Sequence, residues 1–222
     1  GVNCIPGYEH AIKNVREGLI EAIKIGYPVM IKASAGGGGK GMRIAKDKNE
    51  FEELLIAAKN EALNAFGDDR VFIEKYIEKP RHIEMQILAD NHGNVIWLGE
   101  RECSIQRRHQ KIIEEAPSSF IDNITRAKMG QQATSLAKEV KYSSAGTVEF
   151  VVDQKQNFYF LEMNTRLQVE HPVTELVTGI DLVEEMLHVA NNKKLKLKQN
   201  EVKVQGWAFE SRLCAESPKK NF

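Results

Sequence analysis

Gly146-Thr-Val-Glu-Phe-Val-Val-Asp153, Gln154-Lys-Gln-Asn157 and Phe158-Tyr-Phe-Leu-Glu-Met163 read as a strand, a polar turn and a return strand. Pairing Asp153 with Phe158 and counting outward sets Val151 against Phe160 and Glu149 against Glu162. Directly opposed residues have Cβ atoms roughly 4.5–5.5 Å apart, and like charges so placed destabilise a sheet unless something neutralises them. A hard cation with oxygen ligands, Mg2+ above all, would do so. The alternative is that one carboxylate points at solvent or pairs with a lysine.

Outward from this hairpin the chain is mixed. On the N-terminal side, Ile12, Val15, Leu19 and Ile23 mark a helical stripe over residues 8–25. Tyr27–Lys32 reads as a short buried strand, Met42–Ala45 as a second, residues 49–65 as a helix capped by Asp47 or Asn49, and Arg70–Ile77 as a further strand. Residues 1–77 therefore form a small α+β unit, and Glu78-Lys-Pro80 is a candidate hinge opening a larger unit over 78–222. There His82–Ala89 alternates, with Ile83, Met85 and Ile87 on one face and His82, Glu84 and Gln86 on the other. Val95–Leu98 is its partner strand, residues 101–115 are a charged polar segment, and Asp122 caps a helix reaching about Val140. A loop from Asn164 to Pro172, a helix near 180–190, a lysine-rich linker at 191–200 and a strand at 204–213 complete the reading.

Composition excludes several classes of function. Thirty-one basic and 31 acidic residues leave no net charge, which argues against a general nucleic-acid or anionic-membrane surface. No apolar run approaches the roughly 20 residues that span a bilayer, and no signal-peptide pattern is present. Cys4, Cys103 and Cys214 are odd in number and lack metal-type spacing, which suits a reducing compartment. The chain opens on Gly1-Val-Asn-Cys and stops at Lys220-Asn-Phe222, so the expectation is a piece of a longer polypeptide.

Three further stretches carry chemistry. Ala33-Ser-Ala-Gly-Gly-Gly-Gly-Lys-Gly41 precedes a strand, not a helix, so it is neither a Walker loop nor a dinucleotide fingerprint. A nearly pure glycine hairpin tip lets backbone N–H groups approach an anion, as a lid over phosphates requires, with Lys32 held beside it. Its plain alternative is a flexible surface loop. Gln106, His109 and Lys111 lie in the polar segment; with His82 they suit hydrogen bonding to a sugar or phosphate better than zinc, whose ligand count they do not supply. Glu162-Met-Asn-Thr-Arg-Leu-Gln-Val-Glu-His171 joins one candidate metal ligand to Arg166, which can grip a planar oxyanion, and to Glu170, a candidate base.

Taken together, Lys32, the glycine lid, Glu74-Lys-Tyr, Pro80-Arg-His-Ile-Glu-Met-Gln86, Glu102-Cys-Ser-Ile-Gln-Arg-Arg-His-Gln-Lys111 and Glu162–Glu175 resemble the biotin carboxylase family of ATP-grasp enzymes, over essentially the whole chain. The resemblance implies an α+β ATP-grasp fold with a small glycine-lid subdomain and a larger antiparallel-sheet lobe. It implies a ligase that uses ATP, Mg2+ or Mn2+, and bicarbonate to carboxylate biotin on a carrier. By position, Lys32 and Gly36, Gly37, Gly38, Gly39, Lys40 and Gly41 would hold phosphates. Glu74, Lys75 and Ile77 would face adenine, while His82, Gln106 and His109 would contact the nucleotide. Lys111 would reach the γ-phosphate and bicarbonate, and Glu149, Glu162 and Asn164 would hold the metal. Arg166, Gln168 and the backbone of Val169 would seat bicarbonate, Glu170 would deprotonate it, and Arg212 would steady the biotin enolate. Family members commonly have Cys where Ser211 stands. The implied partners are a biotin carboxyl carrier domain, a carboxyltransferase subunit and further copies of the enzyme, with neither nucleic acid nor membrane. The implied location is bacterial cytoplasm or mitochondrial matrix. Because the family has further N- and C-terminal portions, the isolated chain is expected to turn over little or not at all.

Overall fold

The structure, a computed structural model, describes residues 1–35 and 41–220. The lid glycines Gly36 to Gly39 and Lys40 lie outside the described residues. The chain divides into two compact units, Cys4–Glu78 and Gly1–Asn3 with Lys79–Phe222.

In the first unit, helix α1 (Val15–Ile25) is capped by Asn14, whose side chain accepts from the Glu17 amide. The helix starts later than its apolar stripe because residues 8–12 are claimed by a neighbouring strand. Tyr8 and Ile12 amides donate to Ile73 and Val71 carbonyls at 2.9 and 2.7 Å. Strands β1 (Val29–Ala33), β2 (Met42–Ala45) and β3 (Val71–Lys75) form a sheet in the order β2-β1-β3. Helix α2 (Lys48–Phe66) begins at the Asp47 cap and ends at left-handed Gly67. Ile12, Ala22, Val29, Ile31, Phe51, Leu55, Val71 and Ile73 make one core.

The second unit is built on a six-stranded sheet. Its strands are β4 (Arg81–Ala89), β5 (Val95–Arg107), β6 (Gln110–Ala116), β7 (Ser144–Val152), β8 (Phe158–Asn164) and β9 (Ala208–Ser211). They run β8-β7-β4-β5-β6-β9, every neighbour antiparallel. Helix α3 (Asn123–Glu139) packs Met129, Ala133 and Ala137 against Ile83, Met85, Ile87, Val148, Phe150 and Val152. Gly130 is required there, since a Cβ would stand 2.4 Å from Trp97 Cε2. Helices α4 (His171–Thr178) and α5 (Leu182–Ala190) follow the glutamate hairpin. Among the described residues no helix is long and apolar enough to cross a membrane.

Three expectations need correction. Residues 101–115, read as a charged polar segment, are most of the β5–β6 hairpin; Arg101, Glu102 and Glu114 are buried there while His109 and Gln110 are exposed, so polarity did not mean exposure throughout. The loop expected to Pro172 ends in α4, which starts at His171 with Pro172 in its first turn, where the missing N–H costs nothing. The strand expected over 204–213 is only Ala208–Ser211.

The β7–β8 hairpin keeps its key pair by a different count. Asp153 closes the turn with Asn157, not Phe158: its amide donates to the Asn157 carbonyl at 2.9 Å, and its carboxylate accepts from Lys155 N and Asn157 N. Val151 therefore opposes Tyr159 and Phe150 opposes Phe160. A bulge beside Glu149 absorbs one extra residue on β8 and restores Glu149 opposite Glu162.

Candidate active site

One cross-strand row organises the buried polar face of the large sheet. Arg101 on β5 opposes Glu84 on β4, which opposes Glu149 on β7, which opposes Glu162 on β8. Three carboxylates in line would be unstable without cations. Two supply the charge. Arg101 is fully buried, and all five of its N–H donors are used. Nε donates to Glu84 at 2.5 Å, Nη1 to Gln86 and Thr174, and Nη2 to Thr147 and Gln168. Lys111, rising from β6, meets Glu84, Glu149 at 2.8 Å and Glu170 at 2.7 Å.

Glu149 is the most crowded acceptor. Its Oε1 receives Lys111, Asn164 Nδ2 at 2.9 Å and Gln168 Nε2 at 2.9 Å. Its Oε2 lies 2.6 Å from His82 Nε2. Gln106 donates its amide to His82 Nδ1 at 2.9 Å, so the ring proton sits on Nε2 and is given to Glu149. Burial pushes the Glu149 carboxyl up, but His82 and Lys111 outweigh it and hold the group well below the carboxylate range. Glu170 is similar: burial raises it, yet the Lys111 hydrogen bond and charge win and keep it ionised. Its other oxygen takes Arg212 Nη2 at 3.0 Å. Lys111 in turn would be pushed down by burial, but the charge of Glu84, then of its other neighbours, raises it beyond its ordinary value.

The structure thus brings His82, Gln106, Lys111, Glu149, Asn164, Gln168, Glu170 and Arg212 into one hydrogen-bonded network. Other expected residues of the large unit take no part in those hydrogen bonds. Glu162 faces Glu149 in register but is exposed, as are Arg166, whose guanidinium donates to the Leu167 carbonyl at 3.2 Å, and Val169. His109 sits exposed in the β5–β6 turn with φ 66°. In the small unit Lys32 and Glu74 form an ion pair, Lys75 Nζ donates to the Gly26 and Tyr27 carbonyls at 2.8 and 2.9 Å, and Ile77 is half-buried. Gly41 has φ 72° and a Cβ there would lie 2.7 Å from that of Ala33.

Arg101 was not singled out by sequence reading, and Glu84 was given no role beyond its polar strand face. The signal was present in Glu100-Arg101-Glu102, whose alternation in a strand sends Arg101 inward only once residues 101–107 are recognised as β. Cys103 is also buried here, and burial pushes its thiol well above its ordinary value.

Glu149, held ionised and opposite Glu162 in register, offers the carboxylate oxygen that a hard divalent cation takes, while Asn164 turns its amide nitrogen to Glu149. A buried ammonium among three carboxylates is suited to handing itself to an incoming anion. Glu170, between Lys111 and Arg212, is a carboxylate that gains basicity as Lys111 leaves it.

Comparison with known proteins adds the following. Residues 1–198 match the family model of the carbamoyl-phosphate synthase L chain, ATP binding domain. The whole chain aligns at 62% identity over 221 residues with the propionyl-CoA carboxylase alpha chain of Ruegeria pomeroyi, covering 32% of that protein. It aligns at 56% identity over 222 residues with the biotin carboxylase of a Nostoc species, covering 50% of it. The biotin carboxylase domain of Hydrogenobacter thermophilus 2-oxoglutarate carboxylase, solved in complex with MgADP, ADP and bicarbonate, superposes with a TM-score of 0.88 at 50% identity, over 100% of this chain and 49% of that one. The chain spans about a third to a half of the length of these curated relatives.

Proposed function

The chain belongs to the family of the carbamoyl-phosphate synthase L chain, ATP binding domain, as an ATP-grasp domain of the biotin carboxylase kind, and from that premise we propose that it carries the biotin carboxylase activity of a biotin-dependent carboxylase. Its substrates are ATP, bicarbonate and biotin on a carrier domain. The observation that carries this reading is the Lys111 ammonium held against Glu84, Glu149 and Glu170, with Arg212 on the far side of Glu170.

Lys32 and the Gly36–Gly41 segment bind the phosphates, and Glu74, Lys75 and Ile77 the adenine. His82, Gln106 and His109 contact the nucleotide. Glu149, Glu162 and Asn164 would hold Mg2+ or Mn2+, which would supply positive charge against the phosphates. Bicarbonate is seated by Arg166, Gln168 and the Val169 backbone. Its negative charge draws Lys111 away from Glu170, whose basicity rises until it takes the bicarbonate proton. The bicarbonate oxygen attacks the γ-phosphorus and ADP leaves, giving carboxyphosphate; positioning and electrostatics supply most of the rate of such transfers. Carboxyphosphate breaks into CO2 and phosphate. Phosphate removes the ureido proton of biotin, Arg212 steadies the enolate oxygen, and the nitrogen attacks CO2.

The finer assignment is to a propionyl-CoA carboxylase. Lys141-Tyr-Ser-Ser-Ala-Gly-Thr-Val-Glu-Phe150 and Asn157-Phe-Tyr-Phe-Leu-Glu162 resemble its α subunit, and the alignment with that chain supports it. The partners are then a carrier domain, a carboxyltransferase subunit and further copies of this chain, in bacterial cytoplasm or mitochondrial matrix. The test is ATP cleavage by the full-length protein. The expected result is ADP release that requires bicarbonate and is stimulated by biotin; ADP release indifferent to both would remove the assignment. Assay of the complete complex against propionyl-, acetyl- and methylcrotonoyl-CoA and pyruvate decides the acceptor.

A further inference from the structure

Glu114 on β6 and Glu210 on β9 stand directly opposite each other, so both side chains leave the sheet on the same face. Glu114 is fully buried and Glu210 half-buried. Arg212 Nε donates to Glu114 Oε1 at 2.7 Å. The Oε2 of each carboxyl is buried and accepts no hydrogen bond. Glu114 feels Arg212, Glu170 and Glu210; Glu210 feels Arg212, Glu170, His171 and Arg101. The arrangement is two opposed acceptors lacking one donor. Facing carboxylates withdrawn from water do not both stay ionised at low cost. A proton on either carboxyl makes it a donor toward the other across the strand pair.

We propose that Glu114 and Glu210 hold one proton between them, an acid–base pair set beside Arg212. Burial pushes both carboxyls up from their ordinary value, and the Arg212 charge only partly opposes it. While the proton is held, Arg212 answers to Glu170 and to a single shared charge on the pair. Loss of the proton adds a further charge that competes with Glu170 for the guanidinium. This consequence for turnover rests on the role given to Arg212 above; the shared proton does not.

The experiment is pH-difference infrared spectroscopy of the full-length protein, wild type and the variants Glu114→Gln and Glu210→Gln. Wild type is expected to show a protonated-carboxyl stretch that persists above the ordinary carboxylate range and disappears in one step as pH rises, and each variant to lack it. Because the pair binds more protons folded than unfolded, wild-type stability falls as pH rises through its folded pKa. Glu210→Gln, whose amide replaces the O–H donor, is expected to flatten that fall. A missing band in wild type, a band unchanged in both variants, or a band that emerges only after chelation of a divalent cation would overturn the proposal. Should a variant fail to fold, the wild-type band and its titration decide. A band lost in Glu210→Gln with an unchanged pH–rate profile leaves the pair standing and removes only the role given to Arg212.

Discussion

Replacing Arg101 by Met tests how the polar face is held. The guanidinium is fully buried and gives five hydrogen bonds, to Glu84, Gln86, Thr147, Thr174 and Gln168. Removing one partner of a buried ion pair costs about 3–5 kcal/mol, because the surviving charge is left uncompensated. Glu84 keeps Lys111 on its other oxygen, which favours the lower half of that range. Even about 3 kcal/mol is a large share of a total stability of roughly 5–15 kcal/mol. Arg101→Lys retains the charge but has three donors for five acceptors; its expected cost is about 1–3 kcal/mol. Arg101→Met combined with Glu84→Gln removes both charges, so the double variant is expected to be more stable than the sum of the single losses by about 1 kcal/mol or more. Urea unfolding at neutral pH, read from midpoint and slope, gives each value. A loss for Arg101→Met under about 1 kcal/mol, or strict additivity in the double variant, would refute the reasoning.

The remaining predictions concern the site and the core. Glu149 and Glu170 have folded-state pKa values below 4.5, so they bind fewer protons folded than unfolded. Their stabilisation is present above that value and is lost as pH falls through the folded pKa values; melting temperatures followed from neutrality into acid should drop, and drop less in Glu149→Gln. Glu170→Gln should lower biotin carboxylation about 10²–10⁴-fold while calorimetric nucleotide affinity stays unchanged; equal loss of both would mean a structural role. Gly130→Ala places a methyl 2.4 Å from the Trp97 ring and should cost about 1–3 kcal/mol by overpacking, checked by thermal melting.

Much of the site was legible because it depends on local pattern. Alternation in His82–Ala89 separated the apolar side, Ile83, Met85 and Ile87, from the side that carries the polar hydrogen bonds. Glu149 and Glu162 were paired correctly even though the count between them was wrong, because the bulge compensated for the turn set by Asp153. What escaped were features fixed by tertiary context. The burial of Glu84, Gln86 and Arg101 depends on mutual satisfaction across strands far apart in sequence, which no local hydropathy reveals. Residues 101–115 read only as a charged polar segment for the same reason. The start of α4 is set by a loop that turns Glu170 inward onto Lys111 and Arg212, and its eight residues are too short for periodicity to announce.

The most direct measurement follows oxygen. Full-length protein is supplied with ATP, Mg2+, biotin and bicarbonate labelled with 18O, and the released phosphate is examined by mass spectrometry. If bicarbonate attacks the γ-phosphorus, its bridging oxygen remains with phosphorus when CO2 departs, and each phosphate carries a single 18O. Phosphate formed without label would contradict bicarbonate as the attacking group.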